Sequence, residues 1–266
     1  MLTKPTRLLP LTALVLFAAF LLSIAAPTPR PTLYLIGDST VKNGQGRGDG
    51  GLWGWGNYLP AAFDTTRLRV ENDARGGTSS RTFRTQGWWE KVRPRLKPGD
   101  YVIMQFGHND SSPLTDSTRA RGTIRSNGDE SQEVFNYLTK EKEVVHSYGW
   151  YLRQLIADAQ KQGATVVVCS PIPRNSWAGG KVNRSTADYG KWAAEAARQA
   201  HVTFIDLNQR VADKYDRAGE TQVKSTYFNT VDHTHTIEAG AKLNAEAVAE
   251  GIREAKGLNL KKYLKK

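Results

Sequence analysis

The chain has 266 residues, of which 39% are hydrophobic and 24% charged, values typical of one ordinary globular domain and not of a disordered or fibrous chain. With 37 Lys and Arg against 26 Asp and Glu, the formal net charge is +11, which favours an acidic partner. We expect no nucleic-acid partner, because no recognised nucleic-acid-binding motif occurs, and the single cysteine excludes a disulfide-stabilised fold.

Residues 1–26 have the organisation of a secretory signal peptide. Lys4 and Arg7 precede a long apolar run that ends at Ala26. We predict cleavage near Ala25 or Ala26, which leaves a secreted or periplasmic chain with no stable membrane association. An anionic polysaccharide then fits best as the acidic partner. The alternative is an uncleaved membrane anchor, because the run approaches the ~20 residues of a spanning helix.

Five short apolar runs predict five strands. In chain order they are TLYLIG, LRVEND, YVIMQFG, ATVVVCSP and VTFIDL. Several lack polar alternation, as in strands covered on both faces. Apolar residues recur at helical spacing in 152–159, 189–200 and 241–252, and Gly163 is expected to end the first of these helices. This alternation predicts a three-layer α/β/α sandwich around a mainly five-stranded parallel sheet.

The one cysteine, Cys169, lies in the fourth apolar run. A cysteine inside a buried strand acts as a small hydrophobic residue, and we interpret Cys169 as inert packing. A role as nucleophile is the alternative, but no His motif adjoins it in sequence.

Ser39 directly follows the first apolar run, in the stretch GDST. In parallel sheets ligands bind at the carboxyl ends of the strands, so Ser39 is predicted to lie at that edge. A serine becomes a nucleophile when a base removes its proton. In TVDHTHTIEAG, Asp232 and His235 are spaced so that the carboxylate can meet Nδ1 and leave Nε2 facing outward, which predicts His235 as that base. A metal site that also uses His233 is the less favoured alternative.

Two further strand ends carry groups that can stabilise an oxyanion. Asn109, in GHND after the third run, offers a side-chain amide, and Gly76 or Gly77, after the second run, can present a backbone N–H. Taken singly, each is also typical of an ordinary strand-end turn.

In this order, GDST, GG, GHND and DHTH resemble the SGNH hydrolases, also called GDSL-like esterases. The resemblance implies a catalytic triad and an oxyanion hole: the triad Ser39, Asp232 and His235, and the oxyanion donors Ser39, Gly77 and Asn109. It also implies a flavodoxin-like SGNH hydrolase catalytic domain over residues 27–266 that needs no metal or organic cofactor. We further expect a monomer. The name-giving Leu of the first block is Thr40 here, a substitution that one branch of the family shares.

That branch is the rhamnogalacturonan acetylesterases, which LIGDSTV, MQFGHND and DHTHTIEAGA resemble. It implies a serine esterase that removes acetyl groups from pectin, an acetylated acidic polysaccharide, through an acetyl-serine intermediate. The alternatives are an esterase of another acetylated polysaccharide such as xylan, and a lipase or thioesterase, which needs an apolar acyl pocket. A non-catalytic carbohydrate-binding protein would lack a triad member, and none is missing.

Substrate contacts are predicted among aromatic and basic residues near strand ends. The candidates are Trp53, Trp55 and Trp177, whose faces suit sugar rings, His108 beside Asn109, and Arg81, which together with Arg84 and Arg174 can pair with uronate carboxylates. Core packing is the commoner fate of a tryptophan, and an ordinary surface charge that of an arginine.

Overall fold

The computed structural model describes residues 30–230 and 232–266. The predicted signal peptide, residues 1–26, lies outside the described residues. In the described part of the chain, no helix is both long enough and apolar enough to cross a membrane.

A five-stranded sheet, in which all neighbouring strands are parallel, forms the centre of the fold. The strands of the described residues are β1 (Thr32–Gly37), β2 (Arg69–Asn72), β3 (Tyr101–Gln105), β4 (Ser131–Asn136), β5 (Glu141–His146), β6 (Thr165–Cys169), β7 (Trp177–Ala178), β8 (Lys181–Val182) and β9 (Thr203–Ile205). The central sheet has the order β2-β1-β3-β6-β9. All five predicted strands are therefore confirmed.

Helices connect and flank these strands. The α-helices of the described residues are α1 (Ser80–Thr85), α2 (Trp88–Val92), α3 (Tyr148–Lys161), α4 (Tyr189–Gln199), α5 (Leu207–Ala218), α6 (Glu220–Tyr227) and α7 (Glu238–Glu254). The Ser147 hydroxyl caps α3 by accepting a hydrogen bond from the Trp150 N–H at 3.0 Å. Beyond the other end of α3, Gly163 has φ +79°, which confirms the predicted left-handed residue there.

Strand β1 is buried on both faces because its successive side chains point into two different cores. Leu33 and Leu35 pack in one core with Val248 of α7, whereas Ile36 packs in the other with Ile156 of α3. Burying one such side chain contributes about 1.5–3 kcal/mol. Helices α5 to α7 supply the first core and α1 to α4 the second, so the predicted three-layer α/β/α arrangement is confirmed.

Two antiparallel hairpins, β4–β5 and β7–β8, were not among the predicted elements. In β4–β5, Val134 pairs with Glu143 and Phe135 with Lys142. Each of these two strands is mostly polar and has only two adjacent apolar residues, so neither forms the continuous apolar run by which the central strands were identified. The β4–β5 hairpin lies between β3 and α3 in the chain, and its Glu143 pairs with Arg81 of α1.

The carboxyl ends of the central strands meet at one edge of the sheet. Leu35 of β1 lies opposite Ile103 of β3, which lies opposite Val167 of β6. The connections that leave these ends contain Ser39, Asn109 and the segment 170–188. This common edge is where the candidate site is assembled.

Candidate active site

Ser39 lies in a tight turn that begins where β1 ends. The N–H groups of Val41 and Lys42 both donate to the carbonyl of Asp38, at 3.2 and 3.1 Å, and thereby close the turn. A Cβ added to Gly37 would lie 2.5 Å from the Gln105 carbonyl oxygen, so only glycine allows this close approach. The turn therefore holds the serine at the sheet edge on a rigid backbone.

Buried polar side chains connect the Ser39 turn to the core. Asp38 Oδ1 accepts hydrogen bonds from the N–H and hydroxyl of Thr40, at 2.8 and 2.7 Å. The Thr40 hydroxyl accepts in turn from Gln105 Nε2 at 2.5 Å, and Gln105 Oε1 accepts from the Trp55 indole N–H at 2.9 Å. Burial raises the pKa of Asp38 although the Thr40 hydrogen bonds oppose the shift. Thr40, at the position of the family's leucine, thus links the Ser39 turn to the core.

This network also corrects the interpretation of Trp55. The side chain is fully buried and its only polar atom is satisfied by Gln105, so it is a core residue and not a sugar contact.

His235 and Asp232 meet as their spacing predicts. The Nδ1 atom of His235 lies 2.6 Å from Asp232 Oδ2, while Asp232 Oδ1 accepts from the backbone N–H groups of Thr234 at 2.7 Å and His235 at 3.0 Å. Partial burial acts to raise the pKa of Asp232, but the hydrogen bonds from His235 and Thr234 outweigh it, so this pKa lies below its ordinary value. Asp232 is therefore ionised at neutral pH and can orient the imidazole.

The other ring nitrogen of His235 points at the serine. Nε2 lies 2.7 Å from Ser39 Oγ, although the two residues are 196 positions apart. The loop that carries His235 is held in place by Trp53, whose N–H donates to the Thr236 carbonyl at 3.1 Å and whose carbonyl accepts from the Thr236 hydroxyl at 3.0 Å. Ser39, His235 and Asp232 thus form a continuous hydrogen-bonded series in which the imidazole can accept the serine proton.

The predicted oxyanion donors lie at the same edge. Asn109 donates one amide N–H to the Thr78 carbonyl at 2.8 Å, which leaves the second N–H of this amide for a ligand. Its Oδ1 accepts from Arg121 Nη1 at 2.8 Å, so the amide orientation is set from both ends. Sequence reasoning did not identify Arg121, whose only signal was its position in the loop after Asn109.

Gly77 has φ +80°, a conformation that residues with a side chain resist, whereas Gly76 does not. A Cβ added at Gly76 would lie 3.7 Å from the Cβ of Ser39, which shows how near this turn is to Ser39. Within residues 30–230 and 232–266, the N–H groups of Ser39, Gly76 and Gly77 make no hydrogen bond to a protein acceptor. Free backbone donors therefore lie next to the serine.

Asp110 holds the loop that carries Asn109. Its carboxylate accepts hydrogen bonds from the N–H of Gly107 at 3.0 Å, and from the N–H and hydroxyl of Ser80 at 3.1 and 2.5 Å. Burial raises the pKa of Asp110 to about 7, with a smaller contribution from the charge of Asp38. Asp110 links the end of β3 to the start of α1. It thereby positions the loop that carries Asn109 relative to the loop that carries Gly77.

The remaining predicted substrate contacts divide into exposed and internal residues. Trp53 and Trp177 are partly exposed, as expected for rim residues, and the Trp177 indole donates to Asn175 Oδ1 at 2.8 Å. Arg81 is fully buried and pairs with Glu143, at 2.8 and 2.5 Å, so its predicted substrate contact is corrected to a structural role. Arg84 is paired with Asp158 at 2.7 Å.

His108 and Arg174 lie beside the His235 loop. Arg174 donates to the His108 carbonyl at 3.1 Å and to the Thr234 hydroxyl at 2.5 Å. Burial lowers the pKa of His108 to about 3, and the charges of Arg174 and His235 act in the same direction. The His108 imidazole is therefore neutral over the ordinary pH range.

No group of three or more His, Cys, Asp or Glu side chains in the described ranges is arranged to hold a metal ion, His233 with its neighbours included. Cys169 is fully buried in β6, and burial raises the pKa of its thiol to about 12. It lies in the core cluster that also contains Val167 and Ile205, in agreement with the packing role interpreted from its strand.

Comparison with known proteins agrees with this geometry. The model of the GDSL-like lipase/acylhydrolase family matches residues 35–243. The chain is 30% identical to a rhamnogalacturonan acetylesterase of Emericella nidulans, over 87% of this chain and 88% of that protein. It is also 30% identical to the probable rhamnogalacturonan acetylesterase YesY of Bacillus subtilis, over 84% of this chain and 92% of that protein.

Solved structures share the fold. The crystal structure of B. subtilis YxiM superposes with a TM-score of 0.68 at 24% identity, and covers 85% of this chain, which spans only 57% of YxiM. Axe2, an acetylxylan esterase from Geobacillus stearothermophilus, gives 0.53 at 18% identity, over 83% of this chain and 93% of Axe2. The chain belongs to the GDSL-like lipase/acylhydrolase family, in the rhamnogalacturonan acetylesterase-like branch of the SGNH hydrolases, and is a carboxylic ester hydrolase.

Proposed function

We propose that this protein is a serine acetylesterase that removes acetyl groups from acetylated pectin, most specifically from the rhamnogalacturonan backbone. The observation that carries the proposal is the series Ser39, His235 and Asp232, with contacts of 2.7 and 2.6 Å, next to unpaired backbone N–H donors. Such a series is the arrangement that acyl transfer through a serine requires.

In the first half of the reaction, His235 Nε2 takes the proton of Ser39 as Oγ attacks the acetyl carbonyl carbon. The N–H groups of Ser39 and Gly77 and the free amide N–H of Asn109 stabilise the oxyanion. The C–O bond to the sugar then breaks, and the protonated His235 returns its proton to the departing sugar hydroxyl. The product is an acetyl-serine ester.

In the second half, water replaces the sugar. His235 takes a proton from the water, the hydroxide attacks the acetyl-serine carbonyl, and the bond to Ser39 Oγ breaks. The imidazolium returns the proton to Ser39, and acetic acid leaves as acetate. Asp232, ionised throughout, stabilises the imidazolium in both halves.

The substrate is proposed from the relatives. The two proteins that are 30% identical over most of their length carry the names of rhamnogalacturonan acetylesterases, one of them as probable. The net charge also suits a polymer of uronic acids, because the catalytic domain keeps +9 after Lys4 and Arg7 leave with residues 1–26. The likeness to an acetylxylan esterase supports the shared fold, and xylan is the substrate to test beside pectin.

The remaining proposals concern the form in which the enzyme acts. Residues 1–26 are proposed as a cleaved export signal and 27–266 as the catalytic domain, which acts outside the cytoplasm as a monomer without cofactor. Mass spectrometry of the exported protein tests the cleavage site, and sedimentation tests the monomer.

The activity is tested by acetate release from acetylated rhamnogalacturonan, acetylated xylan and a long-chain ester, with the mature protein and with Ser39→Ala. We expect release from rhamnogalacturonan to fall by about 10⁴-fold or more in the variant. Release from xylan or the long-chain ester alone would reject the pectin substrate and keep the nucleophile. Release that persists in Ser39→Ala would reject the mechanism.

A further inference from the structure

A pocket of about 240 Å³ lies between the carboxyl ends of β3 and β6, beside the candidate site. Part of its lining is polar and charged: His108, Arg125, Arg174, Arg184, Asp188 and Tyr189. It is smaller than the roughly 300–1,000 Å³ of sites for drug-sized ligands, which fits a single sugar residue or one polar substituent.

The lining carries excess positive charge. Arg184 is neutralised by Asp213 at 2.9 Å and Asp216 at 2.7 Å. In contrast, Arg125 and Arg174 have no carboxylate within ion-pair distance in the described part of the chain. Asp188 is the one carboxylate in the lining, and it accepts a hydrogen bond from the Ser185 hydroxyl. Two unneutralised guanidinium groups beside one carboxylate favour an anionic ligand.

His108 adds a polar atom that lacks a partner. Its Nε2 is shielded from solvent and has no hydrogen-bond partner among residues 30–230 and 232–266. Most buried polar atoms in native proteins are hydrogen-bonded, so this unpaired atom of a pocket-lining residue is a candidate partner for a polar ligand group. The imidazole is neutral, because burial lowers its pKa to about 3, and it does not add to the positive charge.

The pocket shares its wall with the candidate catalytic residues. Arg174 donates to the hydroxyl of Thr234 at 2.5 Å and to the carbonyl of His108 at 3.1 Å. Thr234 immediately precedes His235, and His108 immediately precedes Asn109. A substrate whose acetyl group reaches Ser39 therefore passes next to this pocket.

We propose that the pocket is a carboxylate subsite that binds a uronic acid residue of the substrate, through the guanidinium groups of Arg174 and Arg125 and the imidazole of His108. The inference rests on the proposed acetylesterase function and specifies the substrate feature that the site recognises. An arginine can contact both oxygens of one carboxylate, which gives orientation as well as affinity.

The test compares two forms of one substrate: acetylated rhamnogalacturonan oligosaccharides with free carboxyl groups, and the same oligosaccharides after methyl esterification. kcat/KM for acetate release is measured for the wild type, Arg174→Gln and Arg125→Gln. The matched control is Arg217→Gln, which removes the same charge from an exposed position in the last turn of α5. We expect the wild type to prefer free carboxyl groups by about 10- to 100-fold.

In Arg174→Gln that preference should fall to within about threefold, mainly through KM, and in Arg125→Gln it should fall in part, whereas Arg217→Gln should keep the wild-type preference. A wild type that treats both substrates equally would overturn the subsite and leave the proposed function intact. A preference for free carboxyl groups that persists in Arg174→Gln would also overturn the subsite.

A second readout does not depend on pectin deacetylation. Oligogalacturonate without acetyl groups is used to inhibit hydrolysis of 4-nitrophenyl acetate, with neutral xylo-oligosaccharides as the comparison. We expect the inhibition constant of oligogalacturonate to rise by about tenfold or more in Arg174→Gln. If rhamnogalacturonan is not deacetylated but this inhibition occurs and depends on Arg174, the proposed substrate is wrong and the carboxylate subsite stands. If Arg174 does not affect inhibition, the subsite is rejected.

Discussion

Asp232 contacts His235 twice: its Oδ2 lies 2.6 Å from the ring Nδ1, and its Oδ1 accepts the backbone N–H of the same residue at 3.0 Å. The first contact selects the tautomer in which Nε2 is free to act as a base. The second contact fixes the loop that carries the ring. One carboxylate thus sets both the tautomer and the position of the imidazole.

Asp232→Asn should lower kcat by about 10⁴-fold, because an amide that donates to Nδ1 stabilises the wrong tautomer. The measurement is kcat with 4-nitrophenyl acetate, and far-UV circular dichroism checks the fold. Asp49→Asn, a change at an exposed aspartate that pairs with exposed Arg47, is the control and should keep wild-type kcat. A loss below tenfold in Asp232→Asn would contradict the role of Asp232.

Asn109→Ala should lower kcat by about 10²- to 10³-fold with little change in KM, because the lost amide N–H is expected to bind the oxyanion only as charge develops. Steady-state kinetics on acetylated oligosaccharides measure both constants. Thr118→Ala, in the same loop, removes an exposed hydroxyl that donates to Asp116 Oδ1 at 2.7 Å and serves as the control. A raised KM with unchanged kcat for Asn109→Ala would indicate a binding role instead.

Gly77→Ala and Gly76→Ala should differ in stability. At Gly77, with φ +80°, alanine costs about 1–2 kcal/mol of backbone strain, whereas the nearest atom to the added Cβ, Arg119 Nη1 at 3.6 Å, leaves room for it. At Gly76 the new Cβ makes an ordinary 3.7 Å contact with Ser39 and no such strain arises. Urea unfolding of both variants measures the difference, and equal free energies of unfolding would contradict it.

Arg81→Met should destabilise the fold by about 3 kcal/mol, because it leaves Glu143 without its buried partner and frees the carbonyls of Leu114 and Gly122. Arg47→Met, at a side chain that is 79% exposed, should change the free energy of unfolding by less than about 0.5 kcal/mol. Urea denaturation gives both values. Similar losses in the two variants would show that the Arg81 pair is not structural.

The same ion pair predicts a pH dependence. Burial acts to raise the pKa of Glu143, but the hydrogen bonds from Arg81 and Asn136 outweigh it, so the folded-state pKa lies below the ordinary 4.5. The folded state then binds fewer protons than the unfolded state, and the stabilisation present above pH 4.5 is lost as the pH falls through the folded pKa. Glu143→Gln should remove this part of the acid destabilisation, and urea unfolding between pH 3 and 7 measures it. The prediction would be contradicted if the free energy of unfolding of Glu143→Gln fell as steeply at low pH as that of the wild type.

Cys169 should not react with a thiol reagent in the folded protein. The side chain is fully buried, and a pKa of about 12 leaves almost no thiolate at pH 8. Titration with dithionitrobenzoate should give no product in native buffer and one thiol per chain in guanidinium chloride. Rapid reaction of the native protein would reopen the nucleophile alternative.

Local sequence patterns predicted the strands of the central sheet and the positions of Ser39 and Asn109 at their ends. A short apolar run identifies a buried strand, and a parallel sheet places the carboxyl ends of its strands at one edge, so residues just past those ends were expected to meet. The pairing of Asp232 with His235 could be predicted because a separation of three residues brings the two side chains within reach of each other. The β4–β5 hairpin was missed because its mostly polar strands contain no such apolar run.

Burial of the individual aromatic and basic side chains was decided by the tertiary structure. Trp53 and Trp55 are two residues apart in one Gly-rich stretch, yet Trp55 is buried against Gln105 and Trp53 stays partly exposed at the rim. Arg81 is internal because Glu143, 62 residues away on the missed hairpin, reaches it. The order of residues in the chain determines which residues are local neighbours. These neighbours in turn determine the strands, the helices and the short-range pairs such as Asp232 with His235. Whether a side chain is exposed to solvent, paired with another side chain or lines a pocket depends on segments that are distant in the chain. Only the packing of those segments in the tertiary structure decides this.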